Sequence, residues 1–483
     1  MADTTQVKTI DRKARLKIPP QPVPKQKPEE RIHNWRETYL GYDLPAAKIE
    51  ATRCIQCPAA PCQKACPLHN DIPGAFLKLE DGDVLGAAEV FRATNPAPDM
   101  CGRLCPQESL CEGHCVVGKN AIPVAIGRLE AFIADYERDQ GGRPLPHLPP
   151  PSGMRVAVVG AGPAGLAVAD ELARKGHGAK VFEAWPLPGG VLRYGIPGFK
   201  MDKSHVDGQV EYLQQLGVQF AFNVRVGHDV TIDDLFAQGF HAVFLGHGAG
   251  QGNRLNIPGE DLDGIHIATE FLVRVNLPPE ELPPHLREPI DPGRRVVVIG
   301  GGDTAMDCVR SAVRTGAEEV HCVYRRTEAE MIGRAEERRH AKEEGVRFFF
   351  QAAPIRFVSR ADDPQRVHSV RFQKIELGEP DESGRPRPVP VIGSEFEIEA
   401  DTVVIAIGYK VEKLLFQTTP GLEASERDTI AADAETGRTS RPGVFAAGDS
   451  VRGADLVVTA LADAKRAATA IDEYLRAEVA PAL

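Results

Sequence analysis

Short apolar runs ending in glycine recur along this chain. Arg155–Val159 runs into Gly160, His241–Leu245 into Gly246, Arg295–Ile299 into Gly300, Thr402–Ile407 into Gly408, and Val444–Ala447 into Gly448. Runs of this length, rich in Val and Ile and bounded by glycine, predict strands. Helical periodicity follows three of them, in LAVADELARKG (166–176), TAMDCVRSAVRTG (304–316) and ADLVVTALADAKRAATAIDEYL (454–475). Strand, glycine turn and helix in alternation predict an α/β architecture. Upstream the pattern changes. IPGAFLKLEDGDVLGAAEVFRA (72–93) spaces its apolar residues at helical period, which predicts a small α-helical domain in front of the α/β units.

Two of the glycine turns carry a dinucleotide fingerprint. Gly160-Ala161-Gly162-Pro163-Ala164-Gly165 lies between a strand and a helix. Glycines belong there because a Cβ would hold the backbone away from a pyrophosphate seated on the helix N-terminus. The next apolar run, 179–182, ends in Glu183. An acid about 20 residues past the glycines is placed to bond a ribose 2′-hydroxyl, so FAD or NAD is expected, against a plain glycine turn with no ligand. The second turn, Gly300-Gly301-Gly302, has Ala305 where a third glycine could stand. Its following strand, 320–324, closes on Arg325-Arg326 instead of an acid. Two guanidiniums there suit a 2′-phosphate, so this unit reads as an NADP(H) site. The alternative is a pair of solvated arginines beside Glu328 and Glu330.

Eight of the ten cysteines fall in two runs, Cys54-x2-Cys57-x4-Cys62-x3-Cys66-Pro67 and Cys101-x3-Cys105-x5-Cys111-x3-Cys115. Gaps this short let thiolates converge on a small inorganic core, and eight thiols suit two four-thiolate clusters. Structural zinc accepts the same ligands. Disulfides are disfavoured because the opening MADTTQVK carries no apolar leader. Cys308 and Cys322 stand apart in apolar stretches and read as small core residues.

The 483 residues, 42% of them apolar, allow about three domains. A formal charge of -11 argues against a nucleic-acid partner, and no apolar run approaches the ~20 residues of a membrane span. A cytoplasmic protein is therefore expected. Residues 1–31 depart from the acidic balance, with eight Lys/Arg against four Asp/Glu and five prolines. They read as an extended basic arm, either solvated or docked on a partner. GGRPLPHLPPPSG (141–153) reads as a linker, and LPPEELPPHLREPIDPG (277–293) is a second break before the second fingerprint.

GAGPAG with Glu183, GGVLRYGIPGFKMDK (189–203), GGGDTAMDCVR with YRR, and VFAAGDSVRGA together resemble the small (beta) chain family of NADPH-dependent glutamate synthase. Related proteins are the NADPH-binding subunit of electron-bifurcating ferredoxin:NADP reductase and the N-terminal half of dihydropyrimidine dehydrogenase. The resemblance covers the chain from about residue 28. It implies an arm over 1–30, a helical domain with two [4Fe-4S] clusters over 31–140, a linker over 141–153, an FAD domain over 154–290 and 405–483, and an inserted NADPH domain over 291–404. The two nucleotide domains are then nested Rossmann-type units.

The resemblance also implies site residues. Gly160, Gly162, Gly165, Glu183, Gly190, Arg193 and Asp449 match the FAD site; Gly302, Asp303, Thr304, Arg325 and Arg326 match the NADPH site. Cys54, Cys57, Cys62 and Cys115 would hold one cluster, and Cys66, Cys105, Cys111 and Glu130 the other. Spacing alone selects Cys101 in place of Glu130, and both stay open. The implied activity is hydride transfer from NADPH to FAD, then single electrons through the clusters to a large partner subunit that makes two glutamates from glutamine and 2-oxoglutarate. A bifurcating reductase subunit is the enzymatic alternative, and a flavin-free assembly scaffold the non-enzymatic one. A thioredoxin-reductase type would need a Cys-x-x-Cys beside the nicotinamide, which Cys308 and Cys322 do not form.

Overall fold

The computed structural model describes residues 10–381 and 384–479. The helical pattern upstream becomes α1 (Leu44–Thr52), α2 (Ile72–Asp81), α3 (Val84–Arg92), α4 (Pro98–Leu104) and α5 (Ile126–Asp139). Asp43, Asp71 and Asp83 start the first three, each carboxylate accepting a first-turn N–H. These caps satisfy donors that a helix start leaves unpaired. Phe76, Leu79, Phe91, Leu129 and Ile133 are buried between the helices in a core of their own.

The predicted strands assemble into two parallel sheets. Labels in chain order are β1 (Arg155–Val159), β2 (Gly178–Phe182), β3 (Gln219–Ala221), β4 (Ala242–Leu245), β5 (Ile265–Ile267), β6 (Arg295–Ile299), β7 (Glu319–Tyr324), β8 (Arg347–Phe350), β9 (Ala352–Ser359), β10 (Val367–Pro380), β11 (Pro386–Glu399), β12 (Thr402–Ile405) and β13 (Val444–Ala446). The first sheet has the order β13-β4-β1-β2-β3 and the second β5-β12-β6-β7-β8. Helices α6 (Pro163–Arg174), α7 (Asp303–Arg314), α8 (Ala335–Glu343) and α9 (Val457–Tyr474) accompany them. The second sheet is built between β4 and β13 of the first. Where the chain crosses out and back, Gln251–Gly252 pairs antiparallel with Tyr409–Lys410.

Three features differ from the sequence expectations. First, β5 hydrogen-bonds to β12, so Ile265–Ile267 sits at the edge of the second sheet although the expected first-domain range ran on to 290. Second, β9, β10 and β11 form an antiparallel sheet that the sequence did not predict. Pro386, Pro388 and Pro390 obscure β11, and it is tolerated because β11 is an edge strand.

Third, the arm is not a solvated tail. Residues 1–9 lie outside the described residues, but from Asp11 onward the chain packs. Arg15 is buried and donates to the carbonyls of Cys54 (2.8 Å) and Thr52 (3.3 Å), and it pairs with Glu80. Gln21 N–H reaches Glu50 at 2.8 Å. At the far end, fully buried Arg31 pairs with Glu344 (2.6 Å) and Glu343 (2.8 Å) at the C-terminal end of α8. Glu344 also pairs with Arg310 (2.9 Å) and Arg314 (2.7 Å) of α7. Buried charges persist only when paired, and here one carboxylate answers three guanidiniums with Glu337 and Glu343 supporting it.

Candidate cofactor sites

Each glycine fingerprint stands where its sheet's strand order reverses. The loop after β1 touches the turn after β4, and a Cβ on Gly160 would lie 2.6 Å from Gly246 O. The loop after β6 touches the turn after β12, and a Cβ on Gly300 would lie 2.2 Å from Ala406 O. Ligands of doubly wound sheets bind at such switch points. Gly165 is packed as closely, 1.9 Å from Gly160 O. Gly162 and Gly302 are different. A Cβ on either would make only ordinary van der Waals contact, with the Gly190 Cα at 3.9 Å and with Ile332 at 3.7 Å, so neither is closely packed. They are also the N-caps of α6 and α7, and neither helix has a side-chain cap. Unspent N–H donors facing a cradle that a Cβ would narrow fit a pyrophosphate.

The side chains around the first loop are drawn onto it. Glu183 accepts from Ala161 N–H (2.8 Å) and Trp185 N–H (3.0 Å), which sets its carboxyl against the loop, and burial pushes its pKa up. Gly190 has φ of +52° and lies over Gly162, where a Cβ would be 2.9 Å from the Gly162 Cα. Asp449 begins the turn Asp449–Arg452 after β13, and burial, with Asp455 and Asp463 adding, pushes its carboxyl up to about 6. Arg193 is not directed freely at a ligand. Its Nε donates to Pro188 O (2.6 Å) and it pairs with Asp207, so it braces the loop that carries Gly190. Lys203, which sequence reasoning missed, donates to Leu192 O (2.9 Å) and Ile196 O at the five-residue turn Val191–Gly195. Burial and then Arg193 push its ammonium down to about 7.

Around the second loop the expected residues divide. The Asp303 carboxylate accepts Arg334 N–H at 2.9 Å, and Thr304 Oγ1 bonds the hydroxyl of Tyr409 on the returning connection. Arg325 is exposed, with no described ion pair engaging it. Arg326 is buried and committed elsewhere, donating to Pro386 O (2.8 Å) and pairing with Asp381 (3.0 Å) of the β10–β11 hairpin. Arg326, expected beside Arg325 at a 2′-phosphate, thus has its Nε and one terminal nitrogen engaged by a hairpin that is invisible in sequence. Neither glutamate pairs with these arginines, since Glu328 pairs with Lys342 and Glu330 closes a capping box with Thr327.

The thiols separate into two groups. Burial pushes Cys54 up to about 11, with Cys115 and Cys57 adding, and Cys62 up to about 12, with Cys54, Cys115 and Cys57 adding. In the other group burial raises Cys66 to about 11, with Glu130 and Cys101 adding. Burial also raises Cys111, with Glu112, Glu130 and Cys66 adding. Cys105 is held down by a hydrogen bond from Cys101, but burial, Glu130, Cys111 and Cys66 raise it overall. A bound cation inverts this, since a metal keeps a coordinating thiol deprotonated. Glu130, on α5, accepts from Asn95 Nδ2 (2.9 Å) and Asn70 Nδ2 (3.1 Å), and burial pushes it up to about 8. Cys101 lies 3.8 Å from the Oδ1 of the same Asn95, so both candidates for the eighth ligand stand at the second group. Among the described residues no three Cys, His, Asp or Glu side chains converge to hold a single ion. Cys308 and Cys322 are fully buried in the core of the second sheet.

Two family models match. The one described as dihydropyrimidine dehydrogenase domain II, 4Fe-4S cluster, spans residues 31–142, and pyridine nucleotide-disulphide oxidoreductase spans 154–464. The putative oxidoreductase AegA of Escherichia coli is 42% identical, covering 92% of this chain and 68% of the relative. The glutamate synthase [NADPH] small chain of the same organism is 40% identical over 91% of this chain and 93% of the relative. Among solved structures, FprA from Mycobacterium tuberculosis in complex with NADPH matches with a TM-score of 0.55 and 24% identity, covering 67% of this chain and 85% of that one, which supports the fold. Among the described residues no helix is long and apolar enough to cross a membrane. The chain is an NADPH-dependent oxidoreductase with a pyridine nucleotide-disulphide oxidoreductase module and a 4Fe-4S-type module, and with 40% identity across nearly its whole length it belongs to the glutamate synthase [NADPH] small chain family.

Proposed function

We propose that this chain is an electron-input subunit that oxidises NADPH and passes electrons to a large partner subunit, as in glutamate synthase. One observation carries the reading. Two glycine loops without side-chain caps stand at the switch points of two nested sheets, and the same chain carries a helical domain whose thiols influence one another in two sets. When bound, FAD accepts hydride from NADPH and two [4Fe-4S] clusters relay single electrons. The residues supply binding and orientation. Gly160, Gly162 and Gly165 admit the FAD pyrophosphate, Glu183 and Asp449 offer carboxyls to its hydroxyls, and Arg193 with Lys203 steadies the Gly190 loop. Gly302, Asp303 and Thr304 form the NADP(H) loop, and Arg325 meets the 2′-phosphate while Arg326 holds the neighbouring hairpin. Cys54, Cys57, Cys62 and Cys115 form one cluster site; Cys66, Cys105 and Cys111 with Glu130 or Cys101 form the other.

The test uses anaerobically purified chain. A flavin spectrum with an iron–sulfur shoulder, bleached by NADPH, and dye reduction without glutamate formation support the reading. Glutamate should appear only on adding a glutamate synthase large chain. Glutamate made by the single chain, or a spectrum without flavin, overturns it. A second reading, the NADP(H)-binding subunit of a bifurcating or other reductase, draws support from the 42% identity to a relative named only as a putative oxidoreductase. Activity with ferredoxin and failure with every glutamate synthase large chain would favour it.

A further inference from the structure

Met331–Arg334 touches the second glycine loop twice. Gly333 N–H donates to Gly301 O at 3.1 Å, and Arg334 N–H to the Asp303 carboxylate at 2.9 Å. Residue 333 must be small, because a Cβ there would lie 2.9 Å from the Gly302 carbonyl carbon. The Arg334 side chain runs the opposite way, into the helical domain. It is buried and donates to Arg103 O at 3.2 Å and to Gln107 Oε1 at 2.9 Å. Gln107 sits among the peptides that carry the second thiol group. Its Nε2 donates to Gly102 O (3.0 Å) and Cys101 O (3.4 Å), its N–H to Cys105 O (3.0 Å), and its carbonyl accepts from Leu110, Glu112 and Gly113. Four residues in sequence thus span from a nucleotide loop to a cysteine loop more than 220 residues earlier.

We propose that Arg334 is a positioning residue that couples the NADP(H) loop to the second cluster, setting that cluster's reduction potential and making it respond to bound nucleotide. The inference rests on the function proposed above. A guanidinium is charged at every working pH and its fork fixes two directions at once. Buried, its field is weakly screened. Glu336 (3.4 Å) and Glu108 (3.8 Å) pair with it, and Glu337 and Asp303 add their charge, so removing the guanidinium alone leaves those carboxylates unanswered beside the second thiol group. Reduction adds negative charge to a cluster, so a nearby fixed cation favours it. Anything that shifts the Gly301–Asp303 loop moves the Arg334 backbone and hence the Gln107 contact. Coupling is reciprocal, so reduction of the second cluster changes NADP+ affinity by the factor by which NADP+ changes its reduction.

The test is a redox titration of the holo-protein followed by electron paramagnetic resonance, with and without saturating NADP+, on wild type, Arg334→Met and Arg334→Lys. Iron, sulfide and NADP+ binding are measured alongside. In the wild type NADP+ should move the second cluster's midpoint by the equivalent of about fivefold in affinity, about 40 mV for one electron. Arg334→Met should lower that midpoint and lose at least half of the NADP+ response, Arg334→Lys should fall between, and the Cys54 cluster should not move. If Arg334→Met instead loses iron, loss confined to the second cluster supports the proposal, and Arg334→Lys then carries the titration. Both variants fully loaded, binding NADP+ and titrating as wild type would overturn it. A wild type without iron or without NADP+ binding defeats the proposed function instead.

Discussion

Glu344→Gln probes the junction that holds the N-terminal segment to the second nucleotide domain. Burial raises the Glu344 carboxyl, but Arg310 and Arg314 outweigh it and hold the group at about 2 against an ordinary 4.5. That depression corresponds to about 3 kcal/mol favouring the folded state. The side chain is fully buried, so little is lost to solvent screening. Removing one partner from a buried charge cluster typically costs about 3–5 kcal/mol, which agrees in size. The sign follows from the direction of the shift. A depressed carboxyl stabilises above its unfolded pKa near 4.5, and the contribution disappears as pH falls toward 2.

A local reporter exists. Trp35 stacks on Phe199 at 6.0 Å between centroids, and Arg310 and Arg314 lie over the same Phe199 ring at 4.2 and 4.1 Å. In a Trp185→Phe background Trp35 is the chain's single tryptophan, since the sequence has two. Urea unfolding is then followed by its fluorescence, as a local transition, because a chain of several domains need not unfold in two states. With a slope of ~1–3 kcal/mol/M, Glu344→Gln should lower the midpoint by about 1–3 M at pH 7 and by much less at pH 2 to 3. A shift below about 0.3 M at pH 7, or the same shift at both pH values, refutes the argument.

Anaerobic iron analysis should give about eight atoms per chain, with Cys57→Ala losing about four; comparing Cys101→Ala with Glu130→Ala identifies the eighth ligand by which one loses iron. Arg325→Gln should reduce the preference for NADPH over NADH at least about tenfold in stopped-flow flavin reduction, because a charge-assisted bond is worth ~1.5–3 kcal/mol. Arg326→Gln should instead lower stability and make the β10–β11 hairpin easier to cleave in limited proteolysis. Deleting residues 1–30 should release the iron of the Cys54 group faster on dilution into chelator, since Arg15 holds the Cys54 and Thr52 carbonyls; unchanged release would show that the segment is dispensable.

Local pattern alone determined the two glycine fingerprints, their strands and helices, and the thiol-bearing helical domain, because each is written in contiguous residues whose periodicity and turn chemistry need no distant partner. Glu183 and the cysteine runs were legible for the same reason. What escaped was whatever a distant segment decides. Arg326 reads as a phosphate ligand, and nothing in sequence shows that Asp381 and Pro386, about 60 residues on, also hold its guanidinium. Residues 1–31 read as an extended basic arm, solvated or docked on a partner, whereas in the described part Glu80 and Glu344 pair with buried Arg15 and Arg31, since a charged stretch shows no sign in sequence of the carboxylates that will meet it. Arg334 carries no motif at all, and its contact with Gln107 exists only because two domains pack face to face. Backbone preference and hydrophobic periodicity are local and survive in sequence; charge pairing across 50 to 300 residues is settled only when tertiary packing removes the water that would otherwise answer each charge.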